Sequence, residues 1–179
     1  LITAAVFGGI PIAIATIGRV RWSSGLGLRG ASVGAFVAAA ILGLALWPTA
    51  HEIFLLSERL GLSSLSGERI AAAKAILDQF KTVPLWLILA TMAVVPAVFE
   101  ELCFRGFLFG ALRGRLDGLW TVIFSAPLFG MFHEVLASGR LLPSTFLGLV
   151  LGFVRLRSGR GLPGVVLHVV TKGLLLSLR

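Results

Sequence analysis

Residues 82–112 read TVPLWLILATMAVVPAVFEELCFRGFLFGAL, and this stretch decides how the chain must fold. Residues 82–99 carry no charge, and the apolar helical pattern continues to about residue 112. A helix needs about 20 predominantly apolar residues to cross the hydrocarbon core of a bilayer. The stretch therefore predicts a transmembrane helix, which carries two glutamates and an arginine, Glu100, Glu101 and Arg105, within its length.

The rest of the chain has the same apolar character. Of its 179 residues, 57% are hydrophobic and only 13% are charged, whereas soluble domains contain about 25% charged residues. Further stretches with almost no charge are 1–18, 30–50, 118–132, 141–154 and 161–178. The composition excludes a soluble domain, a disordered chain and, with one cysteine, a disulfide scaffold. We predict an all-α polytopic membrane helix bundle of about six transmembrane helices, in which 141–154 needs flanking residues to span.

Loop charges predict the orientation of this bundle. The loops 19–29, 113–117 and 155–160 fall on one side and together hold eight arginines. Positively charged loops favour the cytoplasmic side of a membrane, which also accounts for the net charge of +8 without nucleic acid. We expect an integral membrane protein that contacts the lipid bilayer, has these loops on the cytoplasmic side and binds no nucleic acid. The sequence leaves the oligomeric state open.

Two further features point to the membrane surface. Residues 66–81 place apolar side chains at helical intervals beside a charged face, which predicts a helix lying at the interface. The four tryptophans, Trp22, Trp47, Trp86 and Trp120, lie near predicted span ends, where indole rings favour the boundary between lipid and water.

The chain opens in an apolar stretch without an initiator methionine. We therefore expect a single membrane domain, 1–179, belonging to a longer polypeptide, with 85–179 as its core. Within this core, glycines recur at helical spacing at 106, 110 and 114 and again at 148 and 152. Small residues at such spacing favour close helix packing in lipid.

Ionisable side chains inside the predicted spans carry the functional hypothesis. Each costs at least about 2.5–3.5 kcal/mol at the centre of a membrane helix, so such groups persist where they are paired or line a wet cavity. They are Glu100, Glu101, Arg105, His133, Glu134, His168 and Lys172. Three different helices contribute to this set. We predict that Glu100, His133 and His168 converge on one polar cavity.

Helical spacing separates the roles of the two adjacent glutamates. Glu101 and Arg105 are four residues apart and share a helix face, which predicts an ion pair. A purely structural salt bridge is at least as well supported for this pair as direct chemistry. Glu100 points about 100° away towards a neighbouring helix, which makes it the better candidate for a general base.

The histidines occupy two other helices. Phe129 and His133 share a face, so the ring can orient the imidazole, although a single buried histidine is more often a core residue than a catalyst. Glu134 lies at the predicted helix end and is expected near the interface without a catalytic role. His168 and Lys172 also share a face and can both donate to an oxyanion. The alternative for Lys172 is extension of its side chain to the membrane surface.

Two histidines and a glutamate would also suit zinc. The helix lacks the HExxH pattern, however, because His133-Glu134 is not followed by a histidine four residues after the first. We expect neither a metal nor an organic cofactor.

Three short motifs resemble a known family. EELCFRG at 100–106 matches the EExxxR motif of the CAAX-protease and bacteriocin-processing family, also called the abortive-infection family, and Phe129 to His133 matches its FxxxH motif. His168 opens the third motif, usually HxxxN, with Lys172 in the last position. The resemblance covers most of the chain and is strongest over 85–179. It implies an all-helical intramembrane endopeptidase, similar to the Ras-converting enzymes that remove the last three residues of prenylated CAAX proteins.

The resemblance also implies roles for individual residues. Glu100 and His133 would activate the attacking water, while His168 and position 172 would form the oxyanion hole. Glu101 and Arg105 would support the site, and the mechanism would be metal-free. The substrate would be a membrane-associated or prenylated protein or peptide.

Lys172 is the departure from the family pattern. Its ammonium can donate to an oxyanion, or it can pair with Glu100 and weaken that residue as a base. Two alternatives to a peptidase therefore stay open. One is a catalytically inactive member that serves as a membrane interaction module, and the other is a proton-coupled transporter that uses Glu100, His133 and His168 as a relay.

Overall fold

The computed structural model describes residues 5–20, 22–62, 71, 75, 78–136 and 139–177, and all regular structure in them is helical. Seven helices can be delimited there: α1 (Ala5–Ile17), α2 (Trp22–Gly25), α3 (Val33–Arg59), α4 (Leu85–Arg113), α5 (Gly118–Leu136), α6 (Leu141–Ser158) and α7 (Leu162–Ser177). The prediction of an all-α protein is confirmed.

The six predicted spans correspond to six of these helices. Among the described residues, α3, α4 and α6 are long and apolar enough to cross a membrane, while α1 and the Leu162–Leu174 part of α7 are apolar but shorter. α6 extends to Ser158, which supplies the flanking residues that 141–154 lacked. The predicted interfacial helix at 66–81 falls largely outside the described residues.

Side-chain caps and a glycine define the ends of several helices. The Ser32 side chain accepts a hydrogen bond from the amide of Ala35 and so caps the start of α3. Asp117 does the same for α5 by accepting from the amide of Trp120 at 2.9 Å. α6 ends at Ser158, and the next residue, Gly159, has a φ of 65°, a left-handed conformation that glycine adopts without strain.

The backbone of α4 changes its hydrogen-bonding pattern around the two glutamates. Leu89–Val94 and Leu102–Leu108 follow the wider π pattern, and Val95–Glu101 between them is α-helical with Pro96 in its first turn. Proline has no amide N–H, so it favours an interruption of the regular ladder. Short π stretches re-aim the side chains near them and often occur at functional sites. Glu100 and Glu101 lie where the α-helical stretch ends, and both are buried.

α6 packs closely on α5 through glycine. A Cβ atom at Gly148 would lie 3.0 Å from the backbone of Ala126, and one at Gly152 would lie 3.1 Å from the Val122 side chain. These distances leave little room for any side chain, so the two glycines set the spacing of the helices. The prediction that Gly148 and Gly152 form a packing surface is confirmed.

α7 packs on α3 in a similar way. A Cβ atom at Gly43 would lie 2.8 Å from the carbonyl oxygen of Leu167. The Thr171 hydroxyl donates to the carbonyl oxygen of Gly43 at 3.2 Å and to that of Leu167 at 2.9 Å. This contact brings the lower-numbered half of α3 against the middle of α7.

Two of the three arginine-bearing segments, 19–29 and 155–160, meet at one end of the bundle. The amide of Gly161 donates to the carbonyl oxygen of Gly27 at 2.8 Å, and Nε of Arg155 donates to the carbonyl oxygen of Arg105 at 3.0 Å. Gly27 has a φ of 69°, and a Cβ atom there would lie 2.6 Å from the Arg155 guanidinium carbon. A Cβ atom at Gly106 would in turn lie 3.1 Å from the carbonyl oxygen of Leu26. The loops before α3 and α7 therefore lie on the same side, as the arginine pattern requires.

The α5–α6 contact predicts opposite outcomes for two glycine substitutions. Gly148→Ala should lower the thermal unfolding midpoint in detergent, because overpacking of about 1–3 kcal/mol exceeds the gain of about 1 kcal/mol from alanine's helix propensity. Gly34→Ala in α3 is the matched control, since a Cβ atom there meets nothing within 4 Å. Its midpoint should stay the same or rise. Equal midpoints for the two variants would contradict the packing account.

Candidate active site

Glu100 is the centre of a buried polar cluster. It extends from α4, and its Oε2 atom lies 3.5 Å from Nε2 of His133 on α5 and 3.5 Å from Nε2 of His168 on α7. The ammonium of Lys172, one turn after His168, lies 2.8 Å from Oε1 and 2.9 Å from Oε2 of the same carboxylate. The Glu100 residue is only 3% exposed. The structure thus brings together the three residues that the sequence selected as a catalytic set, with Lys172 bound to the carboxylate.

Glu101 and Arg105 form a second buried polar cluster, which contacts the first through His168. Nη1 of Arg105 donates to Oε1 of Glu101 at 2.9 Å, and Nη2 donates to the carbonyl oxygen of Gly148 at 3.1 Å. Nδ1 of His168 lies 3.3 Å from the same Glu101 oxygen. Arg105 and Glu101 are each about 2% exposed. Because the loss of one partner would leave a buried charge uncompensated, this pair fixes α4 firmly against α6 and α7.

The hydrogen bonds define which ring nitrogens carry protons. Nδ1 of His133 lies 2.9 Å from the carbonyl oxygen of Phe129, and a carbonyl only accepts, so this nitrogen is the donor. Nδ1 of His168 likewise donates to the Glu101 carboxylate. In the neutral forms, both Nε2 lone pairs therefore face Oε2 of Glu100 at 3.5 Å, beyond the 2.7–3.2 Å of an ordinary hydrogen bond. Oε2 of Glu100 already accepts from the Lys172 ammonium, so the two Nε2 atoms are the acceptors here that a donor such as water would satisfy.

Phe129 forms the wall behind both imidazoles. Its ring is fully buried and lies 4.4 Å from that of His133 and 5.7 Å from that of His168, measured between centroids. The guanidinium carbon of Arg105 lies 4.3 Å from the Phe129 ring centroid, within range of a cation–π contact. The sequence indicated only the contact with His133, because His168 and Arg105 come from other helices.

The cluster borders a cavity of about 320 Å³. The lining residues from α5, α6 and α7, with the loop before α6, are His133, Arg140, Pro143, Ser144, Phe146, Leu147, His168, Thr171 and Lys172, and those from α3 are Leu46, Trp47, Ala50, His51 and Phe54. This volume lies at the lower end of the range of about 300–1,000 Å³ that small-molecule sites occupy. His133, His168 and Lys172 connect the cavity to Glu100.

Glu134 binds backbone amides at the connection between α5 and α6. Its two carboxylate oxygens accept hydrogen bonds from the amides of Gly139 and Leu141, each at 2.9 Å. It therefore joins the end of α5 to the start of α6. A carboxylate is favourable here because the first amides of a helix lack partners within the helix.

Gly164 is a site residue that the sequence reasoning missed. A Cβ atom at this position would lie 2.8 Å from Oε2 of Glu101, an oxygen that is buried and has no hydrogen-bond partner among the residues that the structure describes. The glycine thus makes room for the carboxylate. Its spacing of four residues before His168, on the same helix face, was the available signal.

Within the described part of the chain, no group of three or more His, Cys, Asp and Glu side chains has an arrangement that could hold a metal ion. The Lys172 ammonium also satisfies both oxygens of Glu100. The expectation of metal-free chemistry stays a prediction.

A membrane helix bundle with a buried glutamate–histidine cluster defines the class of protein. The chain belongs to the Rce1-like family of type II CAAX prenyl endopeptidases, since the family model "Type II CAAX prenyl endopeptidase Rce1-like" matches residues 82–174. A Bacillus subtilis protein named "Putative membrane peptidase YdiL" is 32% identical over 94 residues, which are 52% of this chain and 37% of that protein. No solved structure matches the chain.

The region matched by the family model contains the residues of the candidate site. The matched residues begin just before α4 and end within α7, so they include Glu100, His133, His168 and Lys172. α1, α2 and α3 lie before the matched region, although α3 supplies one wall of the cavity. The match over this region confirms the resemblance that the three motifs indicated.

The room left at Gly164 predicts the effect of adding one methyl group. Gly164→Ala should displace the Glu101 carboxylate from Arg105 and His168 and lower the free energy of unfolding by about 1–3 kcal/mol. Gly173→Ala is the control in the same helix, because a Cβ atom there makes only an ordinary contact at 3.8 Å. Thermal unfolding of both variants in one detergent measures the difference. A Gly164→Ala midpoint at or above that of Gly173→Ala would refute the close approach.

Proposed function

We propose that the chain is an intramembrane endopeptidase that hydrolyses a peptide bond of a membrane-associated or prenylated protein or peptide. The observation that carries the proposal is the approach of two imidazole nitrogens, from His133 and His168, to one oxygen of Glu100 at 3.5 Å. The two imidazole acceptors, beside a cavity and next to this carboxylate, suit a water molecule that donates to His133. Such a water is oriented for attack and has a base within reach.

The proposed reaction proceeds through a tetrahedral intermediate. Glu100 takes a proton from the water as its oxygen bonds to the substrate carbonyl carbon, with His133 orienting the water. Lys172, and His168 when its Nε2 is protonated, donate to the oxyanion that forms on the carbonyl oxygen. Glu100 then passes the proton to the leaving amine, and the C–N bond breaks. Glu101 and Arg105 hold His168 and α4 in place throughout.

The comparisons support this proposal at the level of the family. The family is one of CAAX prenyl endopeptidases, and the named relative is described as a membrane peptidase. The aligned region spans 37% of that relative, so the substrate and the activity of the whole protein are part of the proposal. We also propose that all six apolar helices cross a bacterial cytoplasmic membrane, with the arginine loops facing the cytoplasm and 85–179 as the catalytic core.

One observation favours the alternative of an inactive member. Lys172 contacts both oxygens of Glu100, and an ion-paired carboxylate is a weaker base. The transporter alternative has less support. The polar contacts pass from His168 through Glu101 to Arg105, and a guanidinium, which does not release its protons, cannot relay them further.

A cleavage assay tests the proposal directly. The purified protein in proteoliposomes should cleave members of a library of membrane-associated peptides, with products identified by mass spectrometry. Glu100→Gln should lower turnover by about 10²–10⁴, the usual contribution of a general base. Glu134→Gln removes a neighbouring carboxylate that binds backbone amides at the α5–α6 connection, and its turnover should stay within a few-fold. Equal turnover for Glu100→Gln and the starting protein would sink the proposal.

Two substitutions test the role of Lys172 in the reaction. We expect Lys172→Asn to raise turnover, because it removes the ion pair from Glu100 while keeping a donor near the oxyanion. Lys172→Ala removes both, so it should fall below Lys172→Asn by about 10²–10³, the cost of one oxyanion donor. If the ion pair with Glu100 costs no activity and Lys172 acts only as an oxyanion donor, Asn should retain much of the activity without exceeding the starting level. Equal turnover for all three proteins would show that the side chain takes no part.

A further inference from the structure

Arg155, in the last turn of α6, is a partly buried cation that has no carboxylate partner among the described residues. Its Nε atom donates to the carbonyl oxygen of Arg105 at 3.0 Å, and its guanidinium carbon lies 5.7 Å from the Phe109 ring centroid. Its two Nη atoms make no hydrogen bond to the residues that the structure describes, and both are accessible at the surface. A charge removed from water without a counter-charge is unfavourable, so an anion bound to these free donors would stabilise the side chain.

The surrounding backbone fixes the position of the Arg155 guanidinium. A Cβ atom at Gly27 would lie 2.5 Å from Nη2, so only a glycine allows the segment before α3 to approach this closely. The carbonyl oxygen of Arg105 on α4 binds Nε. A ligand at the Nη atoms therefore meets a side chain that is already ordered, which lowers the entropic cost of binding.

Arg160 adds a second positive charge at the same place. The chain turns at Gly159, and the Ser158 hydroxyl accepts from the amide of Arg160 at 3.1 Å, which holds this turn. The Arg160 charge acts on Arg155 and repels it. Two cations that repel each other are favoured together when an anion lies between them.

The neighbouring loops hold a single carboxylate that could neutralise this pair. The segments 19–29 and 155–160 contain arginines and no acidic residue. The segment 113–117 contains one, Asp117, which caps α5 by accepting from the amide of Trp120. None of the arginines that the structure describes in these three segments forms an ion pair with a described carboxylate. An anion from outside the chain therefore suits this end of the bundle.

We propose that Arg155 and Arg160 bind one phosphate group at the membrane surface. Guanidinium groups bind phosphate oxygens through paired hydrogen bonds and stay charged at any physiological pH. Either a phospholipid headgroup or soluble phosphate can supply such a group. Arg155 lies near the end of α6, a helix long and apolar enough to cross a membrane, and this depth is that of the lipid headgroups. An anionic phospholipid is therefore the expected ligand.

The site is separate from the proposed catalytic reaction. It lies at the arginine-bearing end of the bundle, and none of its residues lines the cavity beside His133 and His168. Because Arg155 also contacts Gly27 and the backbone of α4, a bound phosphate should stabilise the folded bundle. The inference can thus be tested whether or not the protein cleaves peptides.

Native mass spectrometry of the full chain in an uncharged detergent measures lipid binding directly. The probe is dioleoyl phosphatidylglycerol, and dioleoylglycerol is the control with the same acyl chains and no phosphate. Phosphatidylglycerol should bind more tightly by about 10-fold or more, as expected for hydrogen bonds to a charged group. It should also raise the thermal unfolding midpoint. Inorganic phosphate is titrated separately, with the unfolding midpoint as the readout.

Three variants that each remove one positive charge test the site. Arg155→Gln should weaken phosphatidylglycerol binding by about 10–100-fold, the effect of losing hydrogen bonds to a charged group. Arg160→Gln should also weaken it while keeping the bond from Arg155 to Arg105, and its midpoint without lipid should not fall. Arg157→Gln is the matched control, because Arg157 is exposed and points to another face of α6. It should lose no more than about 5-fold, the general attraction of one surface arginine.

The outcomes distinguish a built site from general charge attraction. Equal losses in Arg155→Gln, Arg160→Gln and Arg157→Gln would overturn the proposal, because they indicate that only net charge matters. Equal affinity for the two lipids, with no stabilisation by inorganic phosphate, would overturn it as well. Equal affinity for the two lipids, with stabilisation by inorganic phosphate that Arg155→Gln abolishes, would support the site and identify soluble phosphate as the ligand.

Discussion

The ion pair between Glu101 and Arg105 is the contact on which the site depends. Both side chains are buried within the bundle, where a single charge without its partner would be strongly unfavourable. The pair also reaches two other helices, because Arg105 donates to the Gly148 carbonyl on α6 and Glu101 accepts from His168 on α7. Helix packing and imidazole orientation are therefore coupled through one carboxylate and one guanidinium.

This coupling explains why two adjacent glutamates have different surroundings. Glu101 contacts Arg105 and His168 in the interior of the bundle. Glu100 lies beside His133, His168 and Lys172, which line the cavity. The change from α to π hydrogen bonding lies directly after this pair. One helix thus presents, in consecutive positions, a carboxylate paired with Arg105 and a carboxylate next to the residues that line the cavity. Lys172 belongs to the second group, and its ammonium competes for the same oxygens that a catalytic water would use.

Much of this arrangement could be predicted from particular residues in the sequence. The four-residue spacing of Glu101 and Arg105 predicts their ion pair, and the structure shows it at 2.9 Å. The glycines at 148 and 152 predict a close helix contact, which α6 makes with α5. Trp47 shows a contact that such reasoning did not foresee. Its place in the sequence predicts a position near a span end, and the structure shows that it also lines the cavity.

The sequence by itself determined the class of the protein, its helices and the polar residues within them. Hydrophobic runs and i, i+4 spacing are local properties, so each can be recognised within a single segment of the chain. The tertiary structure alone decided that one Glu100 oxygen faces two histidines, that Phe129 supports both rings, and that Gly164 makes room for Glu101. These contacts join residues of different helices. They depend on how the helices are rotated and how closely they pack, which local spacing does not specify.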